Sequence, residues 1–383
     1  MDSHSSSKNG NHSRNATDLR TGTEDVKRIA LILFYAVTLF LGVFGNWCII
    51  AIVIKVKRMR TMANVFILNM AVSDLVVSVI DVPRKLQIAI TMSYAYEVPS
   101  FDVVKVLCKI LPFTRELSYS VSSLSAVMIG IDRYYAVICP MEQKPRVLSP
   151  KVTIPAIWLI SALAYSTNLY TYKATKKEGA FYCSYRWHPL PEKEAEELFL
   201  LITFVLFVAL PLVALVFVYS LIAVKMMNRS IPGATGAAVN SHRVRGNNKI
   251  IRLSIAITTA FFICWVPYYV LLLTLTFNIR LGDESIEISA LILVLADIFE
   301  ALTYTSIVTN PMICLAFSTN FRQALKELMS CQARSLQANN TNRTRIQHSM
   351  TMASSFETIS MSVESVNKDV HPGRRCVPYV ITS

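Results

Sequence analysis

The hydrophobic positions of this chain gather into seven runs, at roughly 29–54, 63–90, 105–139, 152–172, 197–227, 248–278 and 286–317, separated by polar connections. Most of them reach the ~20 residues a helix needs to cross the hydrocarbon of a bilayer, so the pattern predicts an all-α membrane protein with a seven-transmembrane helix bundle over 29–317. An odd number of crossings puts the two chain ends on opposite sides. The flanks read differently. Residues 1–28 are rich in Ser, Asn and charge and have no apolar core of a cleavable signal peptide, which predicts a disordered tail and leaves insertion to the first membrane helix. Beyond the last run, Phe321, Leu325 and Leu328 recur at helical spacing with Arg322, Lys326 and Glu327 between them. That predicts a short amphipathic helix over 318–331 lying on membrane lipid. Residues 332–383 are polar and Ser/Thr-rich, and are predicted to be a disordered tail.

Composition agrees with a membrane protein: 53% of the 383 residues are hydrophobic and only 16% charged, and the mean hydropathy is +0.43. The net charge of +13 does not indicate a nucleic-acid partner, because the basic residues sit mostly in short connections. Lys55, Lys57, Arg58 and Arg60 follow the first run, Lys144, Arg146 and Lys151 the third, and Lys225, Arg229, Arg243, Arg245, Lys249 and Arg252 surround the fifth-to-sixth connection. The alternate connections carry acids beside their bases. By the positive-inside rule the N-terminus is then outside and the C-terminus inside. Asn11 and Asn15 head glycosylation sequons on the outer side, and Cys331 is either a palmitoyl anchor or an unmodified juxtamembrane thiol. Eight cysteines without a CxxC pair argue against a disulfide scaffold or a zinc site. The third run carries Cys108 near one end and Asp132-Arg133-Tyr134 at the other. Cys108 and Arg133 are 25 positions apart, roughly 37 Å of helix, so this element reaches both faces of the membrane.

Several short motifs punctuate the runs. They are Gly45-Asn46 in the first; Leu68-Asn69-Met70-Ala71-Val72-Ser73-Asp74 in the second; Cys108 and Asp132-Arg133-Tyr134 in the third; and Trp158 in the fourth. Cys183 precedes the fifth run, which contains Pro211 and Tyr219; Phe261 to Pro267 lie in the sixth and Asn310-Pro311 in the seventh. In this order and spacing they resemble the rhodopsin-like, or class A, G-protein-coupled receptors across nearly all of 29–331. The resemblance implies a plasma-membrane receptor with no cofactor and no catalytic residue, whose partners are an extracellular ligand, a heterotrimeric G protein, receptor kinases and arrestin. It implies a Cys108–Cys183 disulfide, and a restraint of Arg133 by Asp132 that is released on activation. Pro140-Met141 then offers an apolar residue to a G-protein groove, with Tyr134 and Tyr219 beside the coupling face. Asn247 stands where some relatives carry an acidic partner for Arg133, so no ionic latch to the sixth helix is expected.

Asp74 lies mid-membrane, where a carboxylate costs about 2.5–3.5 kcal/mol on insertion scales, so it is expected to face a hydrated interior. The resemblance makes Ser122, Ser306 and Asn310 its partners around an allosteric sodium ion; a water-satisfied polar cluster is the alternative. Cys314 replaces the family's usual tyrosine in the Asn-Pro motif of the seventh run, which is expected to shift the balance between resting and active states.

The ligand is narrowed by residue type. Amine receptors of the family place an aspartate where this chain has Arg115, followed by Glu116, and opsins place a lysine where it has Tyr304. The motif neighbourhoods are most similar to neuropeptide receptors of the RFamide, orexin and cholecystokinin-like groups. Candidate ligand-binding residues are Arg115, Glu116, Trp265, Tyr268, Tyr269, Asp297, Glu300 and Tyr304, with Arg115 either contacting ligand or neutralising Glu300 internally. Tyr182, Tyr185 and Trp187 offer further contacts beside Cys183, and Asp283, Glu284 and Glu287 add acid at the mouth. A small carboxylate ligand held by Arg115 is an alternative. A seven-span transporter or channel is the alternative from another class, but it predicts an internal repeat, and the sequence has none.

Overall fold

The computed structural model describes the backbone of residues 7–227, 237–280 and 290–330, and the side chains of 25–227, 251–277 and 291–330. The side chains of Asn11, Asn15 and Asn247, the acids Asp283, Glu284 and Glu287, Cys331 and the tail after it lie outside the described residues.

In chain order the elements are α1 (Ser7–Lys55), α2 (Met62–Ile80), α3 (Val82–Thr91), α4 (Phe101–Val137), α5 (Pro150–Tyr165) and the one-turn α6 (Asn168–Thr171). They continue with a hairpin of β1 (Tyr172–Lys177) and β2 (Ala180–Tyr185), then α7 (Glu192–Phe204), α8 (Leu210–Met227), α9 (Ala237–Arg280) and α10 (Ala290–Phe317). α2 and α3 form one bent span, and α7 and α8 another, joined by a π turn at Val205–Ala209. α1 starts inside the stretch expected to be disordered. Once the apolar span provides a helical nucleus, each further residue gains a hydrogen bond for the dihedrals it fixes.

Six spans among the described residues are long and apolar enough to cross a membrane. α4 is the seventh long helix, and at 37 residues it is roughly 55 Å long. Its hydropathy is diluted by serines, yet Ser118, Ser120, Ser122, Ser123 and Ser125 are all buried. It packs against α2, α5, α8, α9 and both strands, so it is the central helix and needs little apolar face of its own. α1 shows the opposite case. Leu33, Val37, Phe40, Phe44 and Trp47 form an exposed stripe at three- and four-residue spacing, facing lipid, while Tyr35, Thr38, Asn46, Ile49 and Ile52 are buried on the other side.

The prolines explain much of how the helices are stitched. Pro311 cannot donate to Ile307, one turn before it, and the freed Ile307 carbonyl accepts from Asn46 Nδ2 at 3.0 Å. The adjacent Gly45 lets α1 close on the same proline, since a Cβ there would lie 2.9 Å from the Pro311 ring. Pro211 likewise frees the Phe207 carbonyl in the π turn, and Tyr119 Oη (3.0 Å) and Ser123 Oγ (2.6 Å) of α4 both donate to it. Asn69 ties a third seam, donating to Ser125 Oγ and accepting from Trp158 Nε1, each at 2.9 Å. Asn46→Leu, near in shape but without the donor, is expected to cost about 1 kcal/mol, the scale of an interhelical hydrogen bond in a membrane. A lowered thermal midpoint of the detergent-solubilised protein checks this.

β1 and β2 pair antiparallel from Tyr172↔Tyr185 to Lys177↔Ala180. Glu178 and Gly179 both have positive φ, as a two-residue hairpin turn with the right twist requires. A disulfide from Cys183 to Cys108 pins β2 to α4, with a Cα–Cα distance of 5.6 Å. Residues 322–330, the described part of a second unit, are helical, with Arg322, Lys326 and Glu327 exposed.

Candidate functional site

At the Cys108 end of the bundle, charged side chains from three spans meet below the hairpin. Arg115 and Glu116 are consecutive on α4 and so point about 100° apart, one toward α10 and the other toward α9. Arg115 Nη1 donates to Glu300 Oε1 at 3.2 Å and Nη2 to Glu116 Oε1 at 3.1 Å. Lys85 Nζ reaches the same Glu300 oxygen at 2.5 Å. Tyr269 Oη donates to Glu116 Oε2 at 3.2 Å and meets Tyr165 Oη at 3.4 Å. Tyr304, one turn beyond Glu300, donates to the buried carboxylate of Asp81, itself one turn before Lys85. Three acids (Asp81, Glu116, Glu300) thus face two cations (Lys85, Arg115), with the Tyr268 ring 5.9 Å from the Arg115 guanidinium carbon. Arg115 Nε is buried without a partner. Trp265 and Tyr119, ring centroids 4.2 Å apart, lie deeper in the same apolar cluster as Tyr165 and Tyr269. In the covering hairpin, burial raises the Tyr185 hydroxyl and pushes that of Tyr172 up to about 12, so both stay neutral at physiological pH.

Deeper still, Asp74 accepts from Ser118 Oγ at 3.3 Å and from Asn310 Nδ2 at 2.9 Å. Ser122 and Ser306 line the same cavity, which at about 10 Å³ takes one water-sized particle. Trp265 Nε1 donates to Ser306 Oγ at 3.1 Å, so this cluster is one hydrogen bond from the aromatic floor.

At the opposite end of α4 the Asp132 carboxylate is 2% exposed and accepts from two cations: Arg133 Nη2 on Oδ2 and Lys144 Nζ on Oδ1. Arg133 Nε and Tyr219 Oη are buried without partners. Cys314 is fully buried.

The chain matches the sequence profile of the 7 transmembrane receptor (rhodopsin family) over residues 45–313. It belongs to the rhodopsin family of seven-transmembrane receptors. Among curated proteins this receptor is similar to the QRFP-like peptide receptor of Branchiostoma floridae, at 24% identity over 79% of this chain and 77% of the relative. It is also similar to bombesin receptor subtype-3 of Ovis aries (26%, 79% and 76%) and to neuropeptide Y receptor type 2 of Homo sapiens (26%, 80% and 78%). The receptor is therefore a multi-pass membrane protein and a signal transducer rather than an enzyme.

Of the residues singled out as ligand-binding, the structure brings Arg115, Glu116, Tyr268, Tyr269, Glu300 and Tyr304 into one cluster, with Trp265 beneath it. Asp297 stands apart, paired with Lys27 at 2.6 Å with both side chains about 40% exposed. Glu300 forms the internal ion pair with Arg115 that was one of the two expectations. Trp187 is buried, donating to Tyr185 Oη at 2.9 Å and packed on Phe199, so it supports the hairpin from within. Asp74, Ser122 and Ser306 line one small cavity, Asn310 donates to Asp74, and Ser118 joins them. Met141 is 95% exposed beside exposed Pro140, and Tyr134 packs edge-on to Tyr135. Sequence reading missed Asp81, Lys85 and Lys144. The first two carried a usable signal, since charge inside an apolar run is rarely without purpose in a membrane; Lys144 had been counted only as an inward-orienting charge.

Proposed function

We propose that this receptor lies in the plasma membrane with its N-terminus outside, binds a peptide in the Arg115–Glu116–Glu300 chamber, and promotes nucleotide exchange on a heterotrimeric G protein at its Arg133 end. What supports the peptide most is the chamber itself. It holds charged groups of both signs with one acid in excess, above an aromatic floor and under a pinned hairpin, which suits a ligand with both polar and aromatic groups. Two of the relatives named above, the QRFP-like peptide receptor and neuropeptide Y receptor type 2, are receptors for peptides by their own names. A small carboxylate gains less support, because the Arg115 guanidinium already answers the two carboxylates of Glu300 and Glu116, which leaves its positive charge spoken for inside the protein. Ligand energy acts by favouring the state with an open cytoplasmic cleft, as equal affinity for both states shifts nothing.

The Asp74 cluster fits a sodium ion: one carboxylate, nearby hydroxyls of Ser118, Ser122 and Ser306, the buried unpartnered Asn310 Oδ1, and room for one small particle. Such an ion supplies a positive charge that offsets buried Asp74 in the resting state. Glycans at Asn11 and Asn15, a lipid on Cys331, and phosphorylation of Ser349, Thr351, Ser354, Ser355, Thr358, Ser360 and Ser362 that recruits arrestin complete the reading.

The test is G-protein activation in cells expressing the full chain, challenged with amidated peptides, amines and small carboxylates. A saturable peptide response, lost in Arg133→Ala at unchanged surface level, is the expected result. A response to carboxylates alone would replace the ligand class, and a peptide response that survives Arg133→Ala would remove the coupling role.

A further inference from the structure

We infer that Lys144 sets how tightly Asp132 restrains Arg133. A guanidinium facing a carboxylate alone tends to use two parallel N–H bonds and take both oxygens. Here it has one. Lys144 Nζ donates to Asp132 Oδ1, Arg133 Nη2 to Oδ2, and Arg133 Nε is buried with no acceptor. A carboxylate whose charge is shared between two cations holds each of them less strongly, and the buried Nε–H without a partner raises the free energy of the restrained state further.

Lys144 reaches Asp132 from the connection after α4, twelve residues along the chain and just past Pro140 and Met141. Its side chain is 36% exposed, whereas that of Asp132 is 2% exposed. A protein seated on Met141 and the exposed connection around it is therefore in a position to move Lys144, and with it the division of the Asp132 carboxylate. Lys144 is a positioning residue: it acts on Arg133 only through Asp132. Its removal leaves the whole carboxylate charge to Arg133, favours a two-bond pairing through Nε and Nη2, and deepens the resting state. The native lysine thus keeps the restraint deliberately weak. This rests on the reading of Arg133 as the coupling residue.

The experiment measures agonist-independent nucleotide exchange on added heterotrimeric G protein. It uses membranes carrying the full-length receptor, at expression levels where wild type exceeds receptor-free membranes. Normalised to surface receptor, Lys144→Gln is expected to lower basal exchange about three- to tenfold. Lys144→Arg, which keeps a cation for Asp132, is expected to stay near wild type. Asp132→Asn raises exchange, and adding Lys144→Gln to it changes nothing more. Unchanged or raised exchange in Lys144→Gln overturns the inference, as does an equal drop on the Asp132→Asn background, which marks a merely structural role. Arg133→Ala run alongside separates the two readings: if it leaves exchange intact, the coupling role itself has failed.

Discussion

Arg115→Ala is expected to destabilise this receptor by about 3–5 kcal/mol, the cost of stranding buried charge when one partner of an ion pair is removed. Arg115, Glu116 and Glu300 have side chains only 17%, 13% and 26% exposed, so water compensates little of the loss. The damage falls unequally on the two acids. Glu300 keeps Lys85 at 2.5 Å, but Glu116 keeps only the Tyr269 hydroxyl at 3.2 Å. Adding Glu116→Gln to Arg115→Ala should therefore recover much of the stability, whereas adding Glu300→Gln should recover little and leave Lys85 stranded. Thermal midpoints of the solubilised variants, read as a double-mutant cycle, check this. A single variant as stable as wild type would show that the guanidinium is not what balances the chamber.

The second large effect concerns the Cys108–Cys183 bond, whose 75-residue separation corresponds to about 4.5 kcal/mol in the chain-entropy model. That is an upper figure, because membrane insertion already holds the flanking helix ends near one face. Cys183 sits mid-strand opposite Ala174, so freeing it releases the register of the whole cover over the chamber. Cys108→Ser and Cys183→Ser should each sharply reduce surface receptor and ligand response, and the double variant should be no worse than either alone. Additive losses would mean that the two cysteines serve separate purposes.

What the sequence made legible was whatever is carried by local periodicity. The spans show as runs of apolar residues, and the lipid face of α1 repeats at three and four positions. α4 had to be recognised by length and end chemistry, since burial on all sides lets its serines dilute the apolar signal. The pairing of distant partners was not legible. Gly45-Asn46 and Asn310-Pro311 could be read as motifs, but not that one proline frees the carbonyl which the asparagine takes, across 261 positions. The hairpin was hidden because its first strand is mostly polar, with Lys173, Lys176 and Lys177 among its six residues, and so shows no apolar strand pattern. In the chamber, Arg115, Glu116 and Glu300 were found as charges out of place. Asp81 and Lys85 were passed over because they sit in a run counted whole.

The π turn at Val205–Ala209 bears on how this chain is to be lined up with others. A π turn holds one residue more than the α turn it replaces, and one residue in an α-helix corresponds to about 100° of rotation. Deleting a single position there would regularise the helix but turn everything from α7 onto a different face. The Tyr165–Phe199 and Trp187–Phe199 ring contacts, 6.1 and 5.4 Å between centroids, would then be lost together. A relative with an uninterrupted α-helix at this point should accordingly align with a one-residue gap between 205 and 209. An ungapped alignment would assign the wrong residues of α7 to the chamber wall.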